Sequence, residues 1–213
     1  MPFLLENFQI YFQSKNAFLS EEFNYNDLLV AKNVIKWKNY TFEKVIFCEG
    51  YAVHNNPFFS YLPFNAVKGE VLQMHIDDFE TDKIYSKNIF LVPLGNKKYK
   101  VGATYNWDDK TDQKTENGKA EILEKFNKLN LKNSKILEHE AGIRPSTIDR
   151  RPFIGLHPEY KNLGIFNGLG TKGVSLAPYI SNIFVNYLKN NKDILDEVNI
   201  NRFSSLYLGF KVN

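Results

Sequence analysis

The feature that most constrains this chain is a short apolar strand that runs into a glycine-rich turn and then into a long amphipathic helix. Leu163 to Asn167 reads as the strand, Gly168-Leu169-Gly170-Thr171-Lys172-Gly173 as the turn, and Ala177 to Asn190 as the helix. Ile180, Ile183, Phe184, Tyr187 and Leu188 lie on one helical stripe, and Pro178 suits a first helical turn. A strand that turns directly into a helix packing back on it belongs to an α/β arrangement. The glycines let backbone N–H groups come close to a ligand. The helix N-terminus adds unpaired donors and partial positive charge. Such a turn suits a phosphate or the electron-rich edge of a flat ring; the same turn also serves as a plain connection.

The rest of the chain adds a different kind of structure. Residues 4–13 have helical spacing in Leu4, Leu5, Phe8 and Phe12, and residues 17–36 hold short β-prone pieces. Phe42 to Cys48 is nearly all apolar, which predicts a parallel strand buried on both faces, ending in a sharp turn at Glu49-Gly50. Residues 51–64 read as loop. Val67 to His75 predicts a strand, and Ile89–Pro93 and Tyr99–Tyr105 predict a hairpin across Leu94 to Lys98. Residues 118–130 predict an amphipathic helix, and Lys135 to Ile143 another strand. The expected fold is therefore mixed, α+β with α/β: a mostly antiparallel sheet with one helix over 65–145, interleaved between α/β pieces at 1–64 and 146–213.

Composition excludes several classes. Among 213 residues, hydrophobic types make up 43% and charged types 24%, an ordinary globular profile, and the net charge of +3 has no dense basic stripe for nucleic acid. No run approaches a membrane span, and Met1-Pro2-Phe3-Leu4-Leu5 lacks the pattern of a signal peptide, so a cytoplasmic location is expected. The single cysteine, Cys48, forms no intramolecular disulfide and sits in an apolar run that predicts an inert buried thiol. His54, His75, His139 and His157 show no metal-ligand spacing, so no metal is expected.

A second informative stretch is Gly142-Ile143-Arg144-Pro145-Ser146-Thr147 with Asp149, followed by Pro152-Phe153-Ile154-Gly155. Arg144 closes an apolar strand, where a guanidinium is costly unless paired. One reading is a salt bridge to Asp149 or Glu140. The other is a bidentate anchor for a ligand carboxylate.

These stretches, with Val45 to Tyr51, Val67-Lys68-Gly69-Glu70-Val71, Phe90-Leu91-Val92-Pro93 and Val101-Gly102-Ala103-Thr104, resemble in order and spacing the glycine oxidase/D-amino-acid oxidase (DAO) family of FAD-dependent oxidoreductases. The resemblance covers about residues 42–190. It implies that Gly50 closes a strand of the FAD domain and that Gly168, Gly170, Thr171, Lys172, Gly173 and Val174 hold the flavin ring end. It also implies that Arg144 anchors the carboxylate of a small amine or amino-acid substrate. That substrate gives a hydride to the flavin. Lys172 would stabilise charge on the reduced ring, and Lys100 falls where some members carry a lysine that promotes reaction with oxygen.

The chain departs from the family pattern at Phe90, where a tyrosine hydroxyl is expected against the substrate, and at Glu49, whose charge suits a pyrophosphate poorly. Residues 1–60 contain nothing like the family's opening Gly-x-Gly-x-x-Gly fingerprint. The expectation is the C-terminal part of a C–N-oxidising flavoenzyme that binds FAD weakly by itself. It could be completed by a separate FAD-binding segment or chain, or form a homo-oligomer. The alternative is a non-catalytic carboxylate-binding or interaction module that has dispensed with flavin.

Overall fold

A computed structural model describes residues 2–32 and 34–211. Helix α1 (Pro2–Ser14) leads the chain, and its apolar side chains at Leu4, Leu5, Phe8 and Phe12 are exposed. Strands β1 (Leu28–Val30), β2 (Ile35–Trp37) and β3 (Tyr40–Phe42) then form a small antiparallel sheet. After β4 (Val45–Phe47) a 3-10 segment covers Gly50–Asn55.

The largest sheet is built from β5 (Val67–Ile76), β6 (Tyr85–Ser86), β7 (Phe90–Gly95), β8 (Lys98–Gly102) and, after helix α2 (Glu116–Asn127), β9 (Ser134–Arg144). Its order is β6-β7-β8-β5-β9, antiparallel throughout. Asn96 and Lys97 turn the β7–β8 hairpin with φ of 50° and 57°, the left-handed pair that a two-residue hairpin needs. Strand alternation puts Leu72, Met74, Ile76, Leu91, Tyr99 and Val101 on one face, where Ile122 and Phe126 of α2 close a core. Fully burying each such aliphatic side chain contributes roughly 1.5–3 kcal/mol. The opposite face carries Phe90, Lys100, Gly69, Gly142 and Arg144, as the pairings Phe90↔Gly102, Gln73↔Lys100, Gly69↔Gly142 and Val67↔Arg144 require.

A third sheet has the order β10-β11-β4, from β10 (Phe153–Leu156), β11 (Leu163–Asn167) and β4. β10 and β11 are antiparallel, while β11 and β4 run parallel with Leu163 opposite Val45. Ile180 and Phe184 of α3 (Gly173–Asn190) pack with Ile154, Ile194 and Val198, and α4 (Ser204–Lys211) ends the described chain.

Three expectations need correction. The predicted strand over Phe42–Cys48 is broken at Glu43–Lys44, so Phe42 belongs to the small sheet and only Val45–Phe47 joins β11. β4 pairs on one side alone among the described residues, which leaves Val45 and Ile46 half-buried and Cys48 exposed instead of buried. α3 begins at Gly173, so Pro178 sits inside the helix, where it withholds the donor that the Val174 carbonyl would otherwise receive.

Candidate functional site

Parallel strands β4 and β11 end side by side, and the chain leaves both through glycines, Gly50 (φ 56°) and Gly168 (φ 75°). Asn167, buried at the end of β11, ties these exits together. Its Nδ2 donates to the Gly50 carbonyl at 2.9 Å, and its Oδ1 accepts from the Gly168 N–H at 2.8 Å. A Cβ on Gly168 would fall 2.6 Å from Thr147 Cγ2, so both the conformation and the packing demand glycine there. Ligands of open α/β sheets sit in the crevice beyond such strand ends.

A cavity of about 520 Å³ opens at this point. One wall is the backbone of Gly168 to Lys172, leading into the N-terminus of α3; the facing side chains are Tyr105 and Trp107. Asn65, Val67, Ser146, Thr147, Ile148 and Arg150 complete the lining. Arg150 and Lys172 bring positive charge and no lining residue is acidic, so the cavity favours an anionic or electron-rich guest.

The antiparallel sheet meets the cavity at Val67, the strand partner of Arg144. Arg144 lies 4.5 Å from the Tyr105 ring centroid, and Nη1 donates to the Thr104 carbonyl at 3.3 Å. A Cβ on Gly69 would stand 2.0 Å from Arg144 Nη2, so that glycine is the bed on which the guanidinium rests. Both partners that the sequence offers Arg144 are engaged elsewhere. Glu140 pairs with Lys100 at 2.8 Å, and Asp149 pairs with Arg202 at 2.8 Å. Among the described residues Arg144 makes no ion pair. Burial lowers its pKa, a desolvation that an incoming carboxylate would offset.

The structure thus gathers Gly168, Gly170, Thr171 and Lys172 around the cavity, with Arg144 behind Tyr105. Gly50 stands one hydrogen-bonded side chain away, Gly173 opens α3, and Val174 points outward with 63% exposure. Lys100 and Phe90 share Arg144's sheet face but do not line the cavity. Glu49 is occupied, since Tyr25 donates to its carboxylate and Asn56 Nδ2 donates at 2.8 Å. Sequence reasoning missed Tyr105, Trp107, Asn65 and Arg150. The two aromatics, 59% and 46% exposed just beyond a strand end, are the signal that was available. Among the described residues, no cluster of His, Cys, Asp and Glu could hold a metal ion, and no helix is long and apolar enough to cross a membrane.

Residues 25–186, most of the chain, match the model of the DAO family, FAD dependent oxidoreductase. The chain belongs to this family. It is 30% identical over 160 residues to glycine oxidase of Bacillus subtilis (strain 168), covering 70% of this chain and 43% of that protein. It is 30% identical over 131 residues to glycine oxidase of Bacillus licheniformis, covering 60% of this chain and 36% of that protein. Among solved structures, iminodiacetate oxidase from Chelativorans sp. BNC1 superposes with a TM-score of 0.68 at 19% identity, over 83% of this chain and 51% of that one. These structural neighbours share the mixed α/β fold. The chain spans less than half the length of these curated relatives and about half that of the solved structure.

DAO-family proteins are FAD-dependent, and the residues here fit the ring end of that cofactor. A flat, electron-rich ring matches a cavity walled by Tyr105 and Trp107, lined by backbone and free of acids. The adenosine end is another matter. Gly168, Gly170 and Gly173 have the Gly-x-Gly-x-x-Gly spacing and follow a strand, yet among the described residues α3 leads to no second parallel strand carrying an acidic ribose ligand. Among the described residues, α3 is followed by an isolated parallel bridge, Ile154↔Asn199. In this chain the spacing forms a turn beside the cavity.

Proposed function

We propose that this chain forms the substrate-side half of the flavin site in an oxidoreductase that oxidises the C–N bond of a small amino acid or related amino carboxylate. The observation that carries the reading is Arg144: a half-buried guanidinium with no acidic partner among the described residues, seated on Gly69 and Tyr105 at the edge of the ring cavity. Glycine, iminodiacetate, L-proline and L-amino acids, named for four of the similar proteins, all join an amine to a carboxylate. When bound, FAD supplies the two-electron acceptor for such a bond. The protein's own residues orient and charge the site. Arg144 takes the carboxylate in a two-pronged grip. Backbone groups of Gly168 to Thr171 would hold the ring end. Lys172, which makes no ion pair among the described residues, supports negative charge at its edge. Phe90 gives the sheet face an apolar ring in place of a hydroxyl. Lys100 is the weaker candidate for tuning oxygen reactivity because Glu140 already neutralises it.

The deciding experiment is a titration of the purified protein with FAD, followed in the visible spectrum, then with benzoate as a carboxylate probe. The reading requires flavin bands that shift on binding and shift again with benzoate, and an Arg144→Gln variant that loses only the second response. Benzoate binding with no flavin response would replace the oxidoreductase reading with a non-catalytic carboxylate-binding module. Unchanged benzoate affinity in Arg144→Gln would remove the anchor.

A further inference from the structure

Two charged residues of β5 are almost completely buried. Lys68 is 1% exposed and Glu70 is 3% exposed. Two residues apart, they face the α2 side of the sheet, where an alternating strand would ordinarily place apolar residues. Burying charge is tolerated only with full pairing, so their partners reveal what they are for.

Most of the partners lie on one segment, Thr104 to Thr115, which links β8 to α2; beyond it, His139 of β9 meets Glu70. Glu70 holds both of its ends. At the start, the Thr104 N–H donates to the Glu70 carbonyl at 3.1 Å and the Glu70 N–H donates to Thr104 Oγ1 at 2.9 Å. At the finish, the Glu70 carboxylate accepts from the Thr115 N–H at 2.9 Å and the Thr115 hydroxyl at 2.7 Å, with His139 Nε2 at 2.7 Å on the same carboxylate. Gly118 makes the room, since a Cβ there would stand 2.5 Å from the carboxyl group. Lys68 holds the middle. Its backbone exchanges hydrogen bonds with Asn106 at 2.9 and 3.0 Å, and Nζ donates to Asp109 Oδ2 at 2.5 Å. Asn106 Oδ1 in turn accepts from the Asp108 and Asp109 N–H groups. The segment between these anchors carries Tyr105 and Trp107, the aromatic wall of the ring cavity, and Tyr105 is the ring on which Arg144 lies.

We propose that Lys68 and Glu70 are positioning residues for the ligand site, holding the 104–115 segment at three points so that Tyr105 and Trp107 form the cavity wall and Arg144 keeps its angle. The proposal deepens the flavin-site reading and rests on it for what the cavity binds. The charge states agree with it. Hydrogen bonding from Lys68 lowers the Asp109 pKa to about 2. Burial would raise that of Glu70, but the Thr115 and His139 hydrogen bonds bring it below the usual carboxylate value. Both carboxylates are therefore charged near neutrality.

The two tryptophans make this testable without turnover, because Trp107 lies in the wall and Trp37 is buried in a separate core. Chain labelled with 5-fluorotryptophan gives one ¹⁹F resonance from each. Asp109→Asn should shift or broaden the Trp107 resonance and leave Trp37 unmoved, and Asp109→Glu should restore it. Benzoate titrated against the same resonance should bind about tenfold more weakly to Asp109→Asn, the scale of one lost charge-assisted contact. An unchanged Trp107 signal overturns the proposal, as does a disturbed signal with undiminished benzoate affinity. If Asp109→Asn also moves Trp37, Thr115→Val removes one hydrogen bond to Glu70 and is judged by the same outcomes. A wild-type chain whose Trp107 ignores benzoate counts against the carboxylate reading alone, because the anchoring is still decided by the unliganded resonance.

Discussion

The five-stranded sheet and the β10-β11-β4 sheet use similar apolar strands to different ends. In the first, every pairing is antiparallel, and α2 closes the core over Leu72, Leu91 and Val101. Its stability rests on its own residues. In the second, a parallel pair of three-residue reach ends at β4, whose Val45 and Ile46 are half-buried, while the apolar side chains of α1 lie open to solvent. The self-contained sheet presents Lys100 and Arg144 on its open face. The less enclosed one supplies the strand ends and glycine turns where a ligand can approach backbone. The cavity forms where these two styles meet.

The largest expected effect tests that contrast in stability. Leu72→Ala, at a fully buried position, should cost about 2–5 kcal/mol, whereas Phe8→Ala on exposed α1 should fall within about 0.5 kcal/mol of wild type. Urea unfolding followed by circular dichroism distinguishes them, and equal losses would erase the contrast. Next comes Gly69→Ala. The obstructed atoms belong to the far end of the Arg144 side chain, which can swing away, so the fold should hold while benzoate binding weakens by about tenfold or more. A large drop in melting temperature with intact binding would mean that Gly69 serves the sheet and not the anchor. The smallest effect concerns pH. Asp109 and Glu70 have folded pKa values below their unfolded ones, so their contribution is complete above about pH 5 and fades as pH falls toward 2. Asp109→Asn should flatten this acid loss in a series of unfolding midpoints. An identical slope would show that other carboxylates control it.

The elements themselves were largely legible. Hydrophobic period and turn residues located β5, the β7–β8 hairpin, α2, β9 and β11 to within a few residues. What stayed hidden depended on contacts distant in sequence. Nothing local to Val67-Lys68-Gly69-Glu70 says that Lys68 and Glu70 face inward, because their partners at 104–115 come more than thirty residues later. Arg144 posed a choice between a salt bridge and an anchor that sequence could not decide, since it turned on where Glu140 and Asp149 spend their charge. Cys48 reads as buried in an apolar run, but burial needs a neighbour on each side, and among the described residues β4 has β11 on one side only.

The amide of Asn167 works as a gauge between the two strand ends. It spends a donor on Gly50 and an acceptor on Gly168, so its two faces are not interchangeable. Aspartate there would meet the Gly50 carbonyl with like polarity, leucine would leave both backbone groups unmet, and glutamine would set the ends farther apart by one carbon. The gap between strands β4 and β11, and with it the mouth of the crevice, is thereby measured by the length and polarity of a single side chain.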